Sequence, residues 1–136
     1  MILTDHNELI KEALKAREHS YSPYSTFRVG CAILTRSGKI FTGCNVENAS
    51  YGETVCAERI AIFKAISEGE RDFCSACIVG GINEITDYTY PCGSCRQVLS
   101  EHCGKDFKIF LYNGTDIKIC TLGELFPLSF EKGSIK

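Results

Sequence analysis

Cys56-Ala57-Glu58-Arg59 and Pro91-Cys92-Gly93-Ser94-Cys95 are the stretches on which the fold turns, because each reads as the start of a helix carrying metal ligands. Cys56, Cys92 and Cys95 read as three thiolate ligands of one zinc ion. Three protein ligands leave the fourth tetrahedral position to water, the arrangement of catalytic rather than structural zinc. Glu58, two residues past the first ligand, is then placed to act as acid and base on that water. Cys92 and Cys95 stand at i and i+3, about 5–6 Å apart at Cβ on one face of a helical turn, a gap that Zn–S bonds of about 2.3 Å can close. Redox chemistry is the alternative for a lone C-x-x-C. Cys74-Ser75-Ala76-Cys77 has the same spacing, but inside an apparent strand whose i and i+3 positions face opposite ways, so that pair reads as core. A structural zinc would need a fourth ligand. Cys31, Cys44, Cys103, Cys120 and His102 are available, yet none stands at a helix start, and an open site is favoured. Three thiolates on Zn²⁺ sum to one negative charge, and Arg59, three residues past Cys56, can draw charge back by donating to sulfur. The alternative for Arg59 is an ordinary exposed helix residue.

Around these stretches the pattern assigns the remaining elements. Residues 4–19 read as an amphipathic helix, with Leu9, Ile10, Ala13, Leu14 and the stem of Arg17 at helical spacing and Thr4 or Asp5 as cap. Residues 27–35 and 39–46 read as an antiparallel hairpin turned at Ser37-Gly38. Residues 56–68 read as a helix with Ile60, Ile62, Phe63 and Ile66 on one broad apolar face, ended by Gly69. A buried strand follows at 74–82. Pro91 opens a helix running to about 102. Strands at 108–112 and 117–121 are joined at Asn113-Gly114, and 122–126 makes one helical turn. The order α-β-β-α-β-α-β-β suits a mixed sheet with helices on both faces. Both ligand-bearing segments then bring the positive ends of helices to the thiolates.

The chain has 136 residues, 44% of them hydrophobic and 24% charged, which fits one domain spanning 1–136 with a single core. A net charge of −2 argues against a nucleic-acid polymer as main partner, since phosphate neutralisation needs a basic surface. No apolar run approaches the ~20 residues that span a bilayer, and the first residues lack the pattern of a signal peptide. Nine cysteines, an odd number without an export signal, fit a reduced cytoplasmic protein with metal ligands and buried thiols better than a disulfide framework.

With these motifs in one order, the chain resembles the cytidine deaminases of the small, homotetrameric, three-cysteine type over nearly its whole length. The resemblance rests on Pro23-Tyr24-Ser25-x-Phe27-x-Val29-Gly30, Gly43-Cys44-Asn45-Val46-Glu47-Asn48-Ala49, Cys56-Ala57-Glu58-Arg59, Pro91-Cys92-Gly93-Ser94-Cys95-Arg96-Gln97-Val98 and Glu124-Leu125-Phe126-Pro127-Leu128-Ser129-Phe130. The zinc-site motifs are a cysteine version of the H-x-E…P-C-x-x-C signature of zinc deaminases. The resemblance implies a three-layer α/β/α sandwich around a five-stranded mixed sheet and zinc-dependent hydrolysis of cytidine and deoxycytidine to uridine and deoxyuridine, with ammonia released. It assigns Glu58 the proton transfers and one zinc per subunit to the three cysteines. Asn45 and Glu47 would bind the ribose hydroxyl, Phe27 would pack on the nucleoside, and Ala57 would face it. Ala49 through its backbone, Tyr51 and Phe130 would complete the pocket of a neighbouring subunit. Read without the family, Phe27 and Phe130 suit a core and Asn45 a turn. Tyr90, Ser94 and Cys31 depart from the commonest family pattern. The rival readings are a deaminase for a nucleoside antibiotic of the blasticidin type, a non-catalytic zinc module with four protein ligands, and a thiol oxidoreductase using Cys74 and Cys77.

Overall fold

Helix α1, His6–Arg17, opens the part of the chain that the computed structural model describes, residues 6–135. It buries Leu9, Ile10, Ala13 and Ala16, so Ala16 takes the place expected for the stem of Arg17. The Arg17 guanidinium instead donates to the backbone oxygens of Arg28 (3.0 Å), Gly81 (2.7 Å) and Asn83 (2.6 Å). The expected caps, Thr4 and Asp5, lie outside the described residues. Strands β1, Arg28–Thr35, and β2, Ile40–Cys44, form the antiparallel hairpin with Gly30 opposite Cys44 and Leu34 opposite Ile40. Gly38 turns it at φ +92°, a conformation glycine adopts without strain.

Next come α2, Ala57–Ser67, β3, Phe73–Gly81, α3, Gly93–His102, β4, Lys108–Tyr112, β5, Ile117–Thr121, and α4, Leu122–Leu125. Both ligand-bearing helices begin one or two residues later than the sequence suggested. Cys56 and Cys92 are extended (ψ 156° and 170°), as an N-cap residue must be, and the buried Pro91 precedes the cap rather than opening the helix. Gly69 follows the C-cap of α2 at φ +99°. Thr121 and Glu124 form a capping box that fixes α4.

The sheet order is β2-β1-β3-β4-β5, parallel only between β3 and β4, which α3 connects. On one face Leu9, Ile10 and Ala13 of α1 pack on Ala32, Leu34, Cys77 and Val79. On the other, Ala57, Ala61, Ile62 and Ala65 of α2 and Leu99 of α3 pack on Cys31, Ile33, Ala76, Ile78, Ile109 and Leu111. This is the expected three-layer α/β/α sandwich with a five-stranded mixed sheet. Burying one such Leu or Ile contributes roughly 1.5–3 kcal/mol.

Two expectations about faces were wrong. The inner face of α2 is made of alanines and Ile62, while Phe63 is 46% exposed. Alanine prevails because α2 lies directly on β2: a Cβ added to Gly43 would sit 2.4 Å from the Ala57 carbonyl oxygen. Cys74 and Cys77 also do not face opposite ways. The register between β1 and β3 slips between Leu34 and Thr35, pairing them with Ser75 and Phe73, and this irregularity reverses the alternation. Cys77 lies within the α1-side core and Cys74 packs against that same core, so both are still structural.

Candidate active site

Cys56 caps α2, Cys92 caps α3, and Cys95 is the third residue of α3. A bridge sets the first of these in place: Val46 and Val55 exchange N–H···O bonds of 2.9 and 3.0 Å, which fixes the residue before Cys56 against the end of β2. The Cys56 and Cys92 sulfurs are 3.6 Å apart and those of Cys92 and Cys95 3.5 Å. A disulfide would bring sulfurs to about 2.05 Å. Sulfurs around one tetrahedral zinc at about 2.3 Å stand roughly 3.8 Å apart, so this spacing suits a shared ion. Among the described residues this trio is the one group of three or more His, Cys, Asp or Glu side chains that could hold a metal, all its donor atoms lying within 4.8 Å of one another. Cys31, Cys44, Cys103, Cys120 and His102 stay outside it. The thiol-only donor set, at two helix N-termini, suits zinc.

Charge in the site is strongly redistributed. Cys56 is held as a thiolate, its pKa lowered to about 5, first by a hydrogen bond from Cys95 and then by the Arg59 guanidinium. Cys95 is pushed up as the matching donor and by burial. Arg59 Nη2 donates to Cys56 Sγ at 3.5 Å, and that bond in turn raises the arginine pKa. Arg59 is thus turned inward, not exposed, and its Nε is buried with no partner. The guanidinium brings more N–H groups than this thiol cluster accepts, a mismatch that three metal-bound thiolates relieve. Glu58 is 6% exposed and hydrogen-bonded to Cys95. Burial raises its pKa to about 7, against the opposing effect of its own backbone N–H. A carboxyl that changes charge near neutrality is suited to taking and returning protons.

Of the side chains expected around the nucleoside, Glu47 and Tyr51 share one groove, while Phe27 lines another cavity with residues 80–89. Asn45 Oδ1 accepts from Ser20 Oγ (2.5 Å) and from the Val29 N–H (2.9 Å), and its Nδ2 donates to the Phe27 carbonyl (2.8 Å). It is a brace between β1 and β2, not a turn residue. Glu47 Oε1 accepts from the Tyr24 and Ser25 N–H groups at 3.0 and 3.1 Å, and Oε2 accepts from the Ser25 hydroxyl. Tyr24, Ser25, Glu47, Asn48, Tyr51 and Thr54 line a groove of about 350 Å³. Ala57 is fully buried in the core on the α2 side, and its amide lies in the helical first turn, where N–H groups lack intrahelical acceptors. Phe27 is 38% exposed and Phe130 58%, so neither is core. Ala49 is on the exposed loop, Tyr51 is 77% exposed with its ring edge-on to Tyr24, and the Phe130 carbonyl accepts from Gln97 Nε2 at 2.9 Å. The side chain of Tyr90 accepts a 2.7 Å hydrogen bond from Lys118 of β5. The roles of Ser20, Ser25, Val55 and Gln97 escaped the sequence reading; Ser25 and Gln97 lay inside quoted motifs, whereas Ser20 and Val55 carried no signal.

Comparison with known proteins follows the same pattern. Residues 3–111 match the model of the cytidine and deoxycytidylate deaminase zinc-binding region. The chain is 49% identical to the cytidine deaminase of Halalkalibacterium halodurans over 93% of its own length and 94% of that protein. It is 44% identical to the cytidine deaminase of Sporosarcina psychrophila, over 94% and 93%. The crystal structure of cytidine deaminase from Burkholderia pseudomallei superposes with a TM-score of 0.87 at 43% identity, over 93% of this chain and all of that one.

Proposed function

The chain belongs to the cytidine and deoxycytidylate deaminase family, zinc enzymes that hydrolyse the exocyclic C–N bond of cytidine, and from that premise we propose its substrates and the role of each residue. The substrates are the free nucleosides cytidine and deoxycytidine, and the products uridine or deoxyuridine and ammonia. The observation that carries this reading is the convergence of three sulfurs, 3.5 and 3.6 Å apart at two helix N-termini, on the buried Glu58 carboxyl.

Zinc held by Cys56, Cys92 and Cys95 supplies Lewis acidity that makes water a nucleophile near neutral pH. Glu58 carries the protons. Its carboxylate takes one from the attacking water and gives it to ring N3; it then takes the second and gives it to the amino group, so that ammonia leaves as the C4 carbonyl forms. One carboxyl serves both transfers because it ends the cycle as it began. Arg59 keeps a positive charge against the sulfurs. In this reading the Ala57 amide meets the base and Phe27 packs on it.

Valence accounting supports a sugar hydroxyl at Asn45 and Glu47. Both lone pairs of Asn45 Oδ1 are used and one Nδ2 hydrogen remains; both lone pairs of Glu47 Oε1 are used and one acceptor position remains on Oε2. One spare donor and one spare acceptor match a hydroxyl, which accepts and donates at once. A carboxylate there also disfavours a phosphate. Tyr51, the Ala49 backbone and Phe130 complete the pocket of a neighbouring subunit in a homotetramer, which accounts for aromatic rings left 77% and 58% exposed on one chain. The enzyme is a single deaminase domain, 1–136, acting in cytoplasmic pyrimidine salvage. No helix among the described residues is long and apolar enough to cross a membrane.

The test pairs zinc analysis with uridine formation on one purified sample. One zinc per chain and conversion of cytidine are expected. Turnover of blasticidin S in place of cytidine would transfer the activity to the antibiotic, and zinc without either product would leave a binding module.

A further inference from the structure

Segment 22–27 leads into Phe27, proposed above to pack on the base, yet it belongs to no helix or strand. What holds it is a carboxylate. The Tyr24 and Ser25 amides donate to Glu47 Oε1 at 3.0 and 3.1 Å, and the Ser25 hydroxyl donates to Glu47 Oε2. The Ser25 oxygen also accepts from the Phe27 N–H at 3.0 Å. Thr26, between them, has φ +60°, a conformation that β-branched residues rarely adopt. The turn is therefore imposed by its hydrogen bonds and not by local preference. The hydrogen bond from Ser25 is also the foremost reason that the Glu47 pKa is lowered.

The two contacts of Ser25 differ in consequence. Oε1 has both lone pairs filled by backbone amides. On Oε2 the serine hydroxyl fills one, which leaves a single acceptor direction. The same oxygen fixes the start of Phe27, whose ring closes on the β3 end: a Cβ added to Gly80 would lie 3.1 Å from Phe27 Cε2.

We propose that Ser25 is a positioning residue that turns the remaining acceptor of Glu47 toward the sugar hydroxyl while anchoring the aromatic ring that packs on the base. Recognition of that hydroxyl then depends on a side chain that need not touch substrate itself. This rests on Glu47 being the sugar-hydroxyl acceptor, and the experiment separates the two claims.

Wild type, Glu47→Ala, Ser25→Ala and Ser25→Thr are assayed on cytidine, 3′-deoxycytidine and 5′-deoxycytidine, with zinc content and melting temperature measured on each. Glu47→Ala should lose much of its effect on whichever analogue lacks the bound hydroxyl; equal losses on all three substrates would sink the reading of Glu47. Given that pattern, Ser25→Ala should lower kcat/KM on cytidine about tenfold or more, mainly through KM, and far less on the same analogue. A loss shared evenly by all substrates, or none on cytidine, overturns the proposal and leaves Glu47 untouched. If Ser25→Ala does not fold, Ser25→Thr decides: it keeps the hydroxyl and should keep the preference for cytidine over that analogue. Zinc-loaded Ser25→Thr without the preference overturns it.

Discussion

At Cys56 the backbone is extended and at Ala57 it is helical, and the cap position is what lets one short run bring a thiol, a buried carboxyl and a guanidinium to the same place. Glu58 and Arg59 follow within the first turn, one against Cys95 and the other against Cys56. Such proximity in sequence is why these residues could be read without coordinates. The Glu58→Gln variant keeps size and hydrogen-bonding reach but cannot carry a proton. It should retain zinc while turnover falls by about 10²–10⁴-fold, measured by metal analysis and steady-state kinetics. Near-normal turnover would remove Glu58 from the reaction. Arg59 acts on the metal only through sulfur, so Arg59→Ala should weaken zinc retention against a competing chelator by roughly 10–100-fold. An unchanged affinity would show that the guanidinium is there for packing alone.

Among the elements, two glycines do the docking. A Cβ on Gly30 would lie 2.1 Å from the Ala13 carbonyl oxygen, pressing α1 off one face. A Cβ on Gly43 would press on Ala57 and Ala61 at the start of α2, on the other. Both replacements by alanine should cost about 1–3 kcal/mol in denaturant unfolding. Their effects on the site should part company. Gly43→Ala displaces the helix that bears Cys56 and Glu58 and should reduce zinc content and activity in the folded fraction, while Gly30→Ala should leave zinc content per folded chain unchanged. Equal zinc loss in both would refute the separation of the two faces. Arg96 binds the Pro91 carbonyl (2.7 Å) and the Leu125 carbonyl (2.5 Å), joining the α3 start to the tail. Arg96→Ala should therefore quicken proteolysis within 125–135 before any global unfolding. At this scale β4 and β5 matched their expected limits, because the alternation and the Asn113-Gly114 turn are local. The alanine face of α2 was not legible: which stripe of a mostly apolar helix turns inward depends on how closely the opposite strand approaches.

For the whole molecule, an ion held by Cys56, Cys92 and Cys95 would tie α2 to α3, elements from different parts of the chain. Chelation should lower the melting temperature on the order of 10 °C when free zinc had stood about a thousandfold above its dissociation constant, and added zinc should restore it. No shift would mean that the three sulfurs hold no ion of structural weight. The proposed homotetramer, which would cover the exposed Leu128, Phe130, Ile119 and Tyr51, predicts a particle of four times the 15.1 kDa chain in sedimentation; a monomer that is fully active would remove the shared pocket. From the sequence alone came the grouping of Cys56, Cys92 and Cys95 beside Glu58, the order of elements and the sheet with helices on both faces, since each rests on spacing within an element or on separated motifs met in one order. Only the tertiary structure decided that Cys74 shares a side of the sheet with Cys77, that Asn45 and Glu47 spend most of their hydrogen bonds inside the chain, and that Ser25 donates to the second Glu47 oxygen. Those depend on a register slip and on contacts between distant segments, and a linear pattern carries no information about which lone pair a neighbour has already filled.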